Sequence, residues 1–140
     1  MSGDDKAVET VGTEALAQRL AELADAKAAS DVVVLDMREL VSYTDFLVIC
    51  TARNERQGRA IADEAKLRLK EEGGLLPGGS EVDEAAGWIV LDYLDCVLHV
   101  FTEEARQRYA LEDLWREAPR LELQASPDGV RGHLYGAAHG

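Results

Sequence analysis

The chain has 140 residues, 46% of them hydrophobic, which suffices for one domain with a real core and falls short of two. Acidic residues outnumber basic ones 27 to 15, for a net charge of -12. A field of that sign repels phosphate backbones and anionic lipid, which argues against a broad nucleic-acid or membrane surface; it would speed encounter with a basic protein, or serve only to keep the chain soluble.

In chain order, residues 1–12 (MSGDDKAVETVG) are expected to be a flexible, acidic tail. They lack the basic start and apolar stretch of a secretory signal, and no apolar run reaches membrane-span length, so a cytoplasmic protein is expected. From Thr13, a good cap, Leu16, Leu20 and Leu23 recur at helical spacing and predict a helix to about Ala29. VVVLDM (32–37) and DFLVICT (45–51) are compact and β-branched, the pattern of strands buried on both faces. Cys50 and Cys96 both lie in such apolar runs and read as buried reduced thiols.

The next segment carries its own punctuation. Asn54 can cap a helix, Gln57 can reach back to the cap, Ile61, Ala65 and Leu69 form an apolar stripe, and Gly73 and Gly74 end it. LLPGGSEVDEAA then reads as a long loop. GWIVLDYLDCVLHVF (87–101) predicts two strands joined by an acidic corner. Alternation places Trp88, Val90 and Asp92 on one face and Ile89, Leu91 and Tyr93 on the other; Val97, His99 and Phe101 likewise oppose Cys96, Leu98 and Val100. Thr102 caps a last helix with Leu111, Leu114 and Trp115 on its inner edge, Pro119 closes it, and residues 120–140 are expected to be a flexible tail. The result is a single α/β domain over 13–119, a mixed sheet with flanking helices in the order αββαββα.

Motifs for chemistry are sparse. There is no GxxxxGK[ST] or GxGxxG loop, no CxxC, HxxxH or HExxH spacing and no GxSxG, so no cofactor or metal site is expected. Asp92, Asp95 and His99 could form a metal-dependent nucleotidyltransferase cluster, but Asp is a common turn former and a strand histidine is more often structural. Trp88, Tyr93, Tyr109 and Trp115, interleaved with charges, have instead the make-up of a protein-binding hot spot.

SYTDFLVICTARNERQGRAIAD, WIVLDYLDCVLHVF and EEARQRYALEDLW together resemble the ribosomal silencing factor family, also called the Iojap family, over about Thr13 to Pro119. The resemblance implies a nucleotidyltransferase-like fold with no catalysis of its own. It also implies binding to the large ribosomal subunit through the large-subunit ribosomal protein numbered fourteen, and a block of small-subunit joining that represses translation under nutrient limitation. A role in ribosome biogenesis in organelles is implied as well. Thr44 and Asp45 match the family's TD pair, Trp88 its tryptophan, Asp92 the aspartate closing that strand and His99 the histidine of its VH pair; Arg106, Tyr109, Glu112 and Trp115 match its closing signature. On this reading Trp88 and Tyr93 are the apolar anchors, and Glu81, Asp92 and Asp95 meet lysine and arginine on the partner. Two positions depart from the family pattern: Glu81 is followed by Val82 where glycine is usual, and Leu94 stands where the hairpin corner usually has glycine. Whether free copies form a homodimer is open at the level of the sequence.

Overall fold

The computed structural model describes the backbone of residues 2–122 and the side chains of residues 12–121. Helix α1 spans Ser2–Ala26, strands β1 and β2 span Ser30–Asp36 and Phe46–Ala52, and helix α2 spans Glu55–Gly73. Strands β3 (Gly79–Asp83), β4 (Trp88–Asp92) and β5 (Cys96–Thr102) follow, then helices α3 (Glu103–Tyr109) and α4 (Leu111–Leu114) and strand β6 (Arg120–Glu122). Among the described residues the strands form one six-stranded sheet in the order β3-β4-β5-β2-β1-β6. Among these strands only β2 and β5 run parallel, the chain between them passing through α2, β3 and β4; the other neighbouring strands are antiparallel. The expected mixed α/β domain is therefore present, with two more strands than the sequence announces.

The punctuation explains the elements. Asn54 Oδ1 accepts the Gln57 N–H at 2.8 Å, while Gln57 Oε1 accepts from Arg53 N, one residue before the cap expected to receive it. The Gln57 amide also donates to the Lys27 and Ala28 carbonyls, tying the end of α1 to the start of α2. Gly74, at φ +67, closes α2. Thr102 caps α3 by accepting from Ala105 N. Helix α1 begins at Ser2, so Thr13 lies inside it instead of capping it, and the segment expected as a tail continues the helix. β6 likewise takes up the first residues of the expected C-terminal tail, because their backbone completes the edge of β1. Residues 123–140 lie outside the described residues.

The two sheet faces differ. One is sealed by α1 and α2 over Phe46, Val48, Cys50, Leu91, Leu98 and Val100. Burial there pushes the Cys50 thiol up to about 12 and raises that of Cys96, whose thiol donates to the Thr13 carbonyl, so both stay unreactive thiols. The other face packs Leu35, Leu47, Ile49 and Phe101 under Ala105, Leu111 and Trp115. Through Tyr109 that cover reaches Trp88 at the start of β4 and leaves Val90, Val97 and His99 half-buried. No helix among the described residues is long and apolar enough to cross a membrane.

Candidate functional site

Where the second cover ends, β4 and β5 leave a half-open surface. Cross-strand register sets its content: Trp88 opposes Phe101, Val90 opposes His99 and Asp92 opposes Val97. On the outer side Glu81 opposes Val90 and Asp83 opposes Trp88, so these two exposed carboxylates line the rim. Trp88, Val90, Val97 and His99 are half-buried, an apolar and aromatic centre that the protein itself neither seals nor fully exposes.

The aromatic side chains hold one another in place. The Trp88 ring lies 4.5 Å from Tyr109 and 5.0 Å from Phe101, centroid to centroid, and 5.7 Å from His99. Trp88 Nε1 donates to His99 Nδ1 at 3.0 Å. With Nδ1 accepting, the imidazole proton sits on Nε2, and burial, only partly opposed by the charge of Asp92, pushes the histidine down to about 4. His99 is therefore neutral at physiological pH. Tyr109, at the end of α3, keeps 38% of its surface exposed while bracing the tryptophan.

Other expected members sit elsewhere. Tyr93 cannot anchor a partner: it follows β4 onto the helix-covered face, is 5% exposed, and its hydroxyl is buried there without a hydrogen-bond partner. Arg106 and Glu112 are engaged internally. The guanidinium donates twice to Glu112, at 2.8 and 3.0 Å, and also to Thr51 Oγ1 and the Asp31 carbonyl, clamping α3 and α4 onto β1 and β2. That pairing holds the Glu112 carboxyl below its ordinary range. Leu114, expected on the inner edge of the last helix, is 67% exposed, because the chain breaks at Ala110 and α4 turns it outward.

The acidic corner is a turn. Asp92 Oδ1 accepts the Leu94 N–H at 2.7 Å, and Asp95 N donates to the Tyr93 carbonyl. Leu94 takes φ +72, the left-handed conformation for which glycine is suited, so this departure from the family pattern is one of backbone strain. Asp95 lies beyond the corner, exposed, its carbonyl accepting from the Asp45 and Phe46 amides. Asp92, Asp95 and His99 thus do not converge, and no group of three or more His, Cys, Asp or Glu placed to hold a metal occurs among the described residues. Val90 and Val97 complete the surface, with the buried Phe101 beneath the Trp88 ring; strand alternation put them on this face, but nothing in the sequence marked it as the open one.

Comparison with known proteins gives the surface its context. The family model described as "Ribosomal silencing factor during starvation" matches residues 10–135. The chain belongs to the ribosomal silencing factor family. It is 37% identical over 114 residues to the ribosomal silencing factor of Halalkalibacterium halodurans, covering 81% of this chain and 97% of that one. It is 33% identical to the chloroplastic Iojap protein of Arabidopsis thaliana over 78% of this chain and 45% of that longer protein. A crystal structure of a Chromobacterium violaceum protein superimposes with a TM-score of 0.66 at 32% identity, covering 71% of this chain and 83% of that one. One from Bacillus halodurans gives 0.63 at 39% identity, covering 75% and 95%. The family is named for silencing, not for a reaction.

Proposed function

We propose that this protein represses translation by docking its open β4–β5 face on a basic protein at the intersubunit side of the large ribosomal subunit. The resemblance points to the protein numbered fourteen. Once seated, the domain fills space the small subunit needs, and joining fails by steric exclusion. On this reading the protein works in the cytoplasm, without a cofactor.

The observation that carries the reading is the surface itself: an apolar and aromatic centre of Trp88, Val90, Val97 and His99, left half-open and rimmed by Glu81, Asp83 and Asp92. Apolar centres with charged rims are the anatomy of protein interfaces, and acidic rims suit a basic partner. Trp88 and Tyr109 are the anchors; Glu81 and Asp92 meet the partner's cations. Asp95 contributes from beyond the corner. Arg106 and Glu112 support the surface from behind.

Co-sedimentation with isolated large subunits tests this. Val90→Lys sets a cation at the centre of the face, opposed to the partner's own charge, and weakens binding by at least about thirtyfold, the scale of a hot-spot loss near 2 kcal/mol. Trp88→Ala has a similar effect, checked by melting temperature because the ring also packs on Phe101. A folded Val90→Lys protein that co-sediments as well as the wild type overturns the proposal.

A further inference from the structure

The corner between β4 and β5 holds a large apolar side chain under conditions that nothing inside the domain rewards. Leu94 sits at φ +72, a conformation that L residues with a side chain adopt reluctantly and that glycine or asparagine adopts readily. The corner is pinned there: the Leu94 N–H goes to the Asp92 carboxylate, Tyr93 N donates to the Cys96 carbonyl and Asp95 N to the Tyr93 carbonyl. Yet the leucine side chain is 69% exposed and seals no core. A strained residue held outward without internal packing points to use outside the molecule.

Leu94 is not isolated. The loop between β1 and β2 is fastened to the same corner, since Asp45 N and Phe46 N both donate to the Asp95 carbonyl, at 2.8 and 3.0 Å. That loop carries Tyr43, 68% exposed, and Leu40, 37% exposed. The last rung before the corner pairs Asp92 with Val97, both on the open β4–β5 face, so the corner continues that face around the end of the sheet. Asp92 and Asp95 flank the leucine closely in the chain, and Asp45, whose N–H donates to the Asp95 carbonyl, brings a third acidic residue to the same corner. An apolar tip in an acidic setting suits an apolar socket on a basic protein.

We propose that Leu94, together with Tyr43 on the loop fastened to the same corner, is a second anchor that seats in an apolar socket of the same basic protein partner, extending the docking surface round the β4–β5 corner. The inference rests on the docking reading above. Its occupant is that partner, reached by a residue whose local geometry is worse for the free domain than glycine would be.

Leu94→Gly, Leu94→Asn and Leu94→Met are compared by thermal melting and by binding to isolated large subunits. Glycine and asparagine relieve the strained backbone and raise the melting temperature by about 2–5 °C, while binding weakens at least tenfold. Methionine keeps the apolar tip, and binding stays within threefold of wild type. Lost binding in a more stable protein cannot be an effect of misfolding. Leu94→Gly binding within twofold of wild type overturns the inference, and so does a glycine variant that is no more stable. If Val90→Lys releases the subunit while Leu94→Gly does not, the second anchor falls alone. If the wild type does not bind, both readings fall.

Discussion

Gly87 sits directly before the tryptophan, and replacing it by alanine has a cost that can be worked out in parts. Its φ is +71, so any side chain there takes the left-handed penalty of about 1–2 kcal/mol. A Cβ would also lie 2.5 Å from Thr102 Oγ1, because the Thr102 amide donates to the Gly87 carbonyl and draws the two residues together. The hydroxyl must move, and with it the cap it supplies to Ala105 at the start of α3, a further ~1 kcal/mol or so. Gly87→Ala should therefore lose about 2–3 kcal/mol, a drop in melting temperature of roughly 6–15 °C for a domain this size. Gly74→Ala is the control. Its φ of +67 carries the same backbone penalty, but nothing lies within 4 Å of its Cβ. Urea and thermal denaturation of the two variants separate the backbone cost from the collision. Equal losses at the two positions would refute the claim that Gly87 holds Trp88 and α3 together by close approach.

Other outcomes follow from the same geometry. Arg106→Ala removes both bonds to Glu112 and the contacts to Thr51 and Asp31, at about 2–3 kcal/mol by urea denaturation; Arg120, 3.5 Å from Glu112, softens the loss. Arg106→Lys recovers less than half, because an ammonium cannot reproduce the fork. His99 has a folded pKa depressed to about 4 from an unfolded 6.5, so the unfolded chain binds the proton first and stability falls as pH drops from about 6.5 towards 4. The loss reaches ~3 kcal/mol at most, and His99→Gln, which can still accept from Trp88, flattens that window. Nitrogen-15 NMR should find Nε2 protonated and Nδ1 bare; the reverse tautomer would contradict the Trp88 bond.

Much of the fold was legible because local signals agreed with the global arrangement. Asn54, Gly74 and Thr102 act as caps where side-chain chemistry says they should. The strands that the sequence did not announce lack signals of their own. β3 is exposed at all five positions, so no alternation marks it, and β6 exists only because the edge of β1 is there to pair with. The site was legible by face but not by exposure. Alternation separated Trp88 from Tyr93 correctly, yet which face the helices cover depends on how α1 and α2 pack, and that decided that Tyr93 is core. The Arg106–Glu112 pair was hidden for another reason: the residues are six apart, and only the break at Ala110, φ +49, folds one back on the other. The strain at Leu94, φ +72, lies in a corner pinned by the Asp92 carboxylate and the Tyr93–Cys96 bond, which a strand-by-strand count does not reveal.

The most direct measurement is the rate of 70S formation when purified small and large subunits are mixed, followed by light scattering with and without a saturating excess of this protein. The expected result is a joining rate suppressed at least tenfold by the wild type and restored by Val90→Lys. Subunits that join at their normal rate in the presence of saturating wild-type protein would contradict steric exclusion by the β4–β5 face.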